Sequence, residues 1–315
     1  MYLGIEIGGT KLQIGLGRGD GKLVDLWRAR VEPKGGAAAI RRQIQKAAAA
    51  IISRAKKSAI QGIGVGFGGP IDDRTRSVLK SHQISGWENF PIARWLEKTF
   101  DVPVALGNDA DVAGLAETLF GAGSGMSPVF YITVGSGIGG GLIIDGQIYR
   151  GSGRGAAEIG HLSLLAQDHE RGEFEADLED LASGWAIAQH AQTYVREDSL
   201  LWELCDAEPE TITAEMVGEA AADGDEFALE TIEYALQHLA TSIGHVIALL
   251  APKRIVIGGG VALLGDKLFF DPLRKLVARR AFAPFAKTTK IVPAALGEEV
   301  VVHGALALAR QKLAE

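Results

Sequence analysis

The sequence predicts an α/β protein whose two halves repeat one plan. Each half opens on a hairpin in which two apolar strands flank a glycine turn, at residues 2–17 and again at 129–145. Strand-like and helix-like segments then alternate, an order typical of mixed α/β architecture. We therefore expect an N-terminal half at 1–120 and a C-terminal half at 121–301.

Apolar periodicity places the elements of the first half. A third strand is expected at 22–31, and a helix through about Lys57 carries its apolar residues on one stripe. The pattern then predicts a buried strand, a short helix, a strand and a helix, at 61–67, 91–100, 104–106 and 110–120.

In the second half, the hairpin precedes a glycine-rich stretch and several helices. A long helix is expected at 226–250, followed by a strand at 254–257 that enters three glycines. A last strand at 290–292 and a helix at 302–312 complete the chain.

Size and charge limit the possible functions. The chain has 315 residues, of which 47% are hydrophobic, enough for two domains with cores of their own. The net charge of -7 argues against a nucleic-acid partner, and no apolar run approaches the ~20 residues that a membrane span needs. The single cysteine, Cys205, allows no internal disulfide, and the chain starts in strand-like sequence without a signal region. We expect a cytoplasmic protein.

The glycine turns are suited to binding phosphate. Glycine lets backbone N–H groups approach an anion closely, because no Cβ stands in the way. The first glycine turn consists of Gly8, Gly9, Thr10 and Lys11, and the second of Gly135, Ser136 and Gly137. A third turn, Gly258, Gly259 and Gly260, offers a close approach suited to a flat adenine or ribose. Each turn taken alone could be structural only.

The second glycine turn also matches G-x-G-x-x-G, the dinucleotide-binding pattern. That pattern requires a helix directly afterwards, whereas residues 141–145 are short, β-branched and followed by a hairpin signal. No G-x-x-x-x-G-K-[ST] occurs in the sequence. A Rossmann domain and a P-loop NTPase are therefore both disfavoured.

Five segments, in this order, resemble the motifs of the ROK family, which groups bacterial sugar kinases with sugar-responsive repressors. They are Gly4–Lys11, Gly107–Asp111, Thr133–Gly141, Gly155–His161 and Ile255–Val261. The resemblance implies an actin-like ATPase (ribonuclease H-like) fold, with duplicated α/β domains around a cleft and with a C-terminal helix at 302–315 that returns to the N-terminal half. It also implies ATP on the glycine turns, a hexose as substrate, and a homodimer.

The resemblance assigns roles in phosphoryl transfer, which needs positioning, charge neutralisation and a base. Asp109 is the candidate catalytic base, with a helix cap as its structural alternative. Asn108 and Gly69 are implied to bind the sugar. Glu6 is implied to hold Mg²⁺ through water, at a position where the family has Asp, and the extra methylene changes the reach to an ion that demands tight geometry.

Further sugar contacts are implied at Glu158 and His161, which are three residues apart and would share one face of a helical turn. Glu179 is a third. The segment departs from the family at Ala157, where glycine is usual. The family also places three cysteines between His161 and Glu179, and this chain has none there. Glu170, Gly172 and Asp177 stand approximately at those positions, so we predict no structural zinc.

These patterns favour an ATP-dependent hexose kinase, most of all a glucokinase. The alternative is a catalytically weakened sugar- or nucleotide-binding or regulatory protein. A DNA-binding repressor is disfavoured because the first strand begins at residue 2. The loop at 82–87 either borders the sugar or only packs in the interior, and the motifs do not identify the sugar.

Overall fold

The computed structural model describes residues 1–31, 33–55, 59–81, 83–153, 155–168, 172–286 and 288–313. The chain divides into two compact units. The first comprises Met1–Tyr131, Gly141–Ala157 and Ala294–Glu315, and the second comprises Ile132–Gly140 and Glu158–Pro293. The chain thus enters the first unit three times, whereas the sequence analysis placed boundaries near residues 120 and 301, with only the C-terminal helix returning.

Strands and helices alternate as expected. The strands are β1 (Tyr2–Ile7), β2 (Lys11–Gly17), β3 (Leu23–Arg30), β4 (Gly62–Phe67), β5 (Ile71–Asp72), β6 (Ser77–Val78), β7 (Val104–Asn108), β8 (Val129–Val134), β9 (Ile138–Ile144), β10 (Gln147–Ile148), β11 (Ser163–Asp168), β12 (Gly172–Asp177), β13 (Arg254–Gly258) and β14 (Lys290–Pro293). The helices are α1 (Gly36–Ala55), α2 (Ile92–Phe100), α3 (Asp109–Phe120), α4 (Leu178–Ala182), α5 (Gly184–Tyr194), α6 (Leu200–Leu204), α7 (Ala214–Ala222), α8 (Glu226–Leu250), α9 (Asp271–Arg280), α10 (Ala283–Ala286) and α11 (Val300–Leu313).

Two five-stranded sheets share one strand order. The first sheet runs β3-β2-β1-β4-β7, with β1 to β3 antiparallel and with β4 and β7 parallel to β1. The second sheet runs β10-β9-β8-β13-β14. In each sheet the opening hairpin supplies the middle strand, so the predicted repetition of one plan is confirmed.

The hairpin of β11 and β12 is a difference from the sequence analysis, which expected only helices and a glycine-rich stretch there. Its strands pair in antiparallel register from Ser163 with Asp177 to Asp168 with Gly172. Leu164 and Ala166 are buried on one face, but Leu165 between them is 65% exposed. This exposed leucine hides the alternation that identifies a strand.

The predicted stripe of α1 is confirmed, since Ile40, Ile44, Ala48 and Ile51 are all buried against the first sheet. Lys57, where the helix was expected to end, lies outside the described residues. Within the described ranges, none of the helices combines the length and the apolar content that a bilayer crossing requires.

Helix α11 approaches the first sheet at a separation that only glycine permits. A Cβ on Gly64 would lie 1.8 Å from the Ala305 carbonyl oxygen, and one on Gly4 would lie 2.7 Å from that of Val302. On the other side of α11, a Cβ on Gly304 would lie 1.9 Å from the backbone oxygen of Val112 in α3. Backbone therefore packs directly on backbone from β4 through α11 to α3.

Replacing Gly64 by alanine should destabilise the fold, because the added methyl meets backbone that cannot rotate away. We expect Gly64→Ala to lower the free energy of unfolding by about 1–3 kcal/mol, the usual cost of overpacking a core. Urea denaturation followed by circular dichroism measures this change. The control is Gly260→Ala, where φ is -60° and no described heavy atom lies within 4 Å of the new Cβ. Equal midpoints for both variants would contradict the close approach.

Candidate functional site

The first glycine turn connects β1 to β2 in the first unit. The Gly8 N–H donates to the Lys11 carbonyl oxygen at 2.9 Å, which closes the turn, and Thr10 is exposed. A Cβ on Gly9 would overlap the side-chain amide of Gln83. The structure therefore brings Gln83, from the loop at 82–87, onto this turn, while His82 lies outside the described residues. Trp87 at the end of the loop is fully buried.

Glu6, at the end of β1, is only 7% exposed. Its Oε1 lies 3.8 Å from the Lys11 Nζ. Burial raises the pKa of Glu6, the Lys11 ammonium opposes this, and the negative charges of Asp109 and Glu298 add to the rise, so that the pKa reaches about 7. Near neutral pH this carboxyl is therefore poised between its two charge states.

Gln13 forms one group with Glu6 and Lys11, and sequence reasoning missed it. It stands directly across the β1–β2 ladder from Glu6 and is fully buried. Its Nε2 donates to the Glu298 carbonyl oxygen at 3.2 Å, and the Lys11 Nζ donates to the same oxygen at 3.1 Å. The only signal in the sequence was a glutamine in an otherwise apolar buried strand.

Two buried oxygens remain in this group. Within the described ranges, Glu6 Oε2 and Gln13 Oε1 have no hydrogen-bond partner. An unsatisfied buried oxygen is costly unless a ligand completes it. Mg²⁺ takes oxygen ligands and typically binds through one or two carboxylates, waters and substrate phosphates. The oxygens present at Glu6 and Gln13 therefore fit Mg²⁺.

The raised pKa of Glu6 gives stability a definite pH dependence. The unfolded carboxyl ionises near 4.5 and the folded one near 7, so the folded state holds the proton longer and loses stability between these pH values. Glu6→Gln removes this loss, and we expect it to be more stable than the parent protein at pH 8 by up to about 3 kcal/mol, with no such gain at pH 4.

Urea denaturation at pH 4, 6 and 8 measures this difference. Glu219→Gln, at an exposed position of α7, is the matched control and should show a constant difference from the parent protein. A Glu6→Gln gain that does not change with pH would rule out a raised pKa at this position.

Asn108 and Asp109 lie where β7 passes directly into α3. Asn108 caps the helix, since its Oδ1 accepts from the N–H groups of Ala110 at 2.9 Å and of Asp111 at 3.3 Å. Its Nδ2 donates to the Gly69 carbonyl oxygen at 3.1 Å, so the two predicted sugar-binding residues are in contact. The capping role considered for Asp109 thus falls mainly on Asn108. Asp109 occupies the first helical position, where its Oδ1 accepts from Ala110 at 2.9 Å and its charge is felt at Glu6.

Arg150 is a second residue that sequence reasoning missed. Its guanidinium donates to Asp111 Oδ2 at 3.2 Å and to Asp73 Oδ1 at 2.6 Å. Asp111 lies in the first turn of α3, two residues after the candidate base, and its side chain is 3% exposed. Arg150 therefore holds the start of α3 against the turn that follows β5. Nothing in the sequence marked an arginine 39 positions from Asp111 as its partner.

Removing Arg150 should be costly because it takes away the guanidinium that bonds both the buried Asp111 carboxylate and Asp73. We expect Arg150→Ala to lower the free energy of unfolding by about 3 kcal/mol or more, as for other broken buried ion pairs. Arg74→Ala, at the exposed position next to Asp73, should change it by less than about 0.5 kcal/mol. Chemical denaturation of both variants measures these free energies of unfolding. Equal stability of the two variants would contradict the role of Arg150 in holding the start of α3.

The second glycine turn, in the second unit, is fixed by three backbone donors. The Gly135 N–H donates to the Gly137 carbonyl oxygen at 2.9 Å, and the Gly184 N–H donates to the Gly135 carbonyl oxygen at 2.7 Å. The Ile138 N–H donates to Glu179 Oε2 at 2.7 Å. Glu179, predicted to bind the sugar, therefore also holds this turn in place, and Ser136 between the glycines is exposed.

The third glycine turn follows β13. Gly259 has φ of +93°, and a Cβ there would lie 2.4 Å from the Val134 carbonyl oxygen, so only glycine fits. Gly260 is different, because no described heavy atom lies within 4 Å of its Cβ position. The turn therefore packs closely on β8 through Gly259 and is open at Gly260.

Glu158 and His161 lie on a short helical turn, which confirms the expected local geometry. The turn is a 3₁₀ helix at Ile159–His161, and the His161 N–H donates to the Glu158 carbonyl oxygen at 3.1 Å. Residues three apart in such a turn eclipse one another. Both are exposed. Ala157 just before them has φ of +65°, a left-handed conformation that favours glycine.

The zinc-binding arrangement is not reproduced by the residues present. His161 Nδ1 lies 3.4 Å from Asp177 Oδ2. Across the described ranges, no cluster of three His, Cys, Asp or Glu side chains could hold a metal ion. Structural zinc sites use mostly sulfur and nitrogen ligands, and the described part of this segment offers one imidazole beside carboxylates. Glu170 lies outside the described residues, and the absence of structural zinc stays a prediction.

The two sheets of common strand order, with a glycine turn after the first strand of each, define an α/β fold of the actin-like ATPase class. The chain belongs to the ROK family, whose model matches residues 2–312. The resemblance carried by five motifs is therefore confirmed.

Three relatives show how far the similarity extends. A glucokinase of Halalkalibacterium halodurans is 32% identical over 99% of this chain and 95% of its own length. The crystal structure of a ROK family glucokinase from Streptomyces griseus, in complex with glucose and AMPPNP, is 29% identical with a TM-score of 0.79, over 98% of this chain and 99% of that one. A xylose repressor of Caldicellulosiruptor bescii is 29% identical over 79% of this chain and 62% of its own length.

Proposed function

We propose that this protein is an ATP-dependent hexose kinase, most specifically a glucokinase. The observation that carries the proposal is the carboxylate of Asp109 at the start of α3, where Asn108 takes over the capping of the helix. A carboxylate in this position can accept a proton from a substrate hydroxyl. The glucokinase of H. halodurans and the S. griseus structure with glucose and AMPPNP support the choice of substrates.

In the proposed reaction, Asp109 accepts the proton of the sugar hydroxyl as that oxygen attacks the γ-phosphorus of ATP. A bond forms between the sugar oxygen and phosphorus, and the bond from phosphorus to the ADP oxygen breaks. The transition state spreads charge over the phosphoryl oxygens, so positioning and neutralisation supply most of the rate enhancement. Arg150 maintains the orientation of Asp109 through Asp111 in the same helical turn.

We propose that the glycine turns bind the nucleotide. In the first turn, the Lys11 ammonium, the Thr10 hydroxyl and the Gly9 backbone suit phosphate oxygens. The second turn presents the Ser136 hydroxyl and glycine N–H groups of the same kind. Glu6 and Gln13 are the residues that would hold Mg²⁺, and this ion, when bound, neutralises phosphate charge.

We propose that five residues bind the sugar: Asn108, Gly69, Glu158, His161 and Glu179. The contact between Asn108 and Gly69 and the exposed 3₁₀ turn of Glu158 and His161 support this assignment. Carboxylates, an imidazole and an amide suit a polyhydroxylated ligand, since they donate or accept hydrogen bonds at adjacent hydroxyls. We also propose a cytoplasmic homodimer without a nucleic-acid partner.

One alternative has an observation in its favour. Burial and the nearby carboxylates raise the pKa of Glu6 to about 7, and the protonated form of this carboxyl does not bind a metal ion. A catalytically weakened sugar-binding or regulatory protein would fit this state, and the xylose repressor among the relatives belongs to such a functional class. Turnover in the presence of Mg²⁺ separates the two, because a binding protein releases no ADP.

The catalytic role of Asp109 is tested by Asp109→Asn, which keeps the shape but cannot accept a proton. We expect kcat to fall roughly 10²- to 10⁴-fold, the usual contribution of a general base, while sugar binding changes little. A coupled assay of ADP release measures turnover, and calorimetry measures binding. Asp198→Asn, at an exposed position, is the control and should keep full activity. Turnover by Asp109→Asn within tenfold of the parent protein would contradict the proposed mechanism.

A further inference from the structure

Trp185 is an exposed aromatic side chain that the proposed reaction does not use. It lies in the first turn of α5 and is 56% exposed, although tryptophan side chains are on average highly buried. An indole that remains in water leaves a large apolar surface uncovered. Its position in the fold indicates which ligand covers it.

The start of α5 is fixed to two glycine turns. The Gly184 N–H, one residue before Trp185, donates to the Gly135 carbonyl oxygen at 2.7 Å. A Cβ on Gly184 would lie 2.9 Å from the same oxygen and 3.3 Å from Val261 Cγ2. Trp185 is therefore held directly beside the second glycine turn and beside the residue that follows the third.

Space is available on the backbone of both turns. No described heavy atom lies within 4 Å of the Cβ positions of Gly135 and Gly260. By contrast, Gly259 and Gly184 have carbonyl oxygens within 3 Å of theirs, so the chain is closely packed immediately next to these open positions. The first turn of α5, which carries the exposed indole, thus adjoins an open stretch of glycine backbone in the second unit.

We propose that Trp185 is the stacking platform for the adenine ring of the bound nucleotide, an inference that rests on the proposed function. The glycine turns provide N–H groups for phosphates and, at the third turn, a close approach of backbone, but glycine has no side chain that could stack on a flat aromatic base. The indole supplies a π face for stacking and offers only one hydrogen-bond donor, so it suits a base far better than a phosphate. Stacking of this kind is tolerant of the base, because every base has a π face.

A ligand series without and with a base tests this inference. We expect Trp185→Ala to weaken binding of ATP and ADP by roughly 10- to 100-fold, and to weaken GTP similarly. Binding of inorganic tripolyphosphate, which has the phosphates and no base, should be unchanged. Trp185→Phe should keep most of the affinity, since phenylalanine retains an aromatic face. Isothermal titration calorimetry on the full chain measures the affinities for ATP, ADP, GTP and tripolyphosphate. Glucose is titrated as a separate ligand.

Fluorescence gives a second readout. The chain has five tryptophans, and we expect ADP to quench the emission of the parent protein and of the control Trp202→Phe, but not of Trp185→Phe. This comparison reports on the indole itself and does not depend on turnover.

The outcomes are distinguishable. If the parent protein binds neither ATP nor ADP, the proposed kinase activity fails, and this inference fails with it. If the parent protein binds ATP and Trp185→Ala binds it equally well, only the stacking role is overturned. A loss of glucose affinity with unchanged ATP affinity would also overturn it, because the indole would then contact the sugar.

Discussion

The site residues of the first unit depend on one constraint, the direct contact of backbone with backbone between α11 and the first sheet. Because Gly64 and Gly304 carry no side chains, α11 lies close to β4 on one side and to α3 on the other. The segment before α11 then brings the Glu298 carbonyl oxygen within hydrogen-bond reach of Lys11 and Gln13. Groups almost 290 positions apart in the chain are thus held together by the packing of one helix.

This packing also explains the electrostatic state of the site. Glu6 is removed from water beside Lys11, with two further carboxylates near enough to affect its charge. A single ammonium does not offset both the burial and the negative neighbours, so the carboxyl resists ionisation. A cation that arrives with the nucleotide would relieve this repulsion and would complete the unsatisfied oxygens of Glu6 and Gln13.

Patterns among residues close together in the chain predicted most of the fold. The sequence did not reveal which residues far apart in the chain contact each other. Helix α8 has the predicted bounds because Asp225 caps its start and Pro252 follows its end. The strand-to-helix junction at Asp109 was likewise found from residues that are neighbours in the chain. Whether Asn108 or Asp109 caps the helix depends on side-chain geometry that the sequence does not reveal. Arg150 and Gln13 were missed because their partners lie 39 and 285 positions away.

The central claim is that this chain moves a phosphoryl group from ATP to a hexose. ³¹P nuclear magnetic resonance of a mixture of protein, ATP, Mg²⁺ and a panel of hexoses tests it most directly, because the spectrum identifies the product itself. The account predicts a sugar-phosphate signal that grows in step with ADP, and that is strongest with glucose. ADP without any sugar phosphate, or no change in the ATP signals with any hexose, would contradict it.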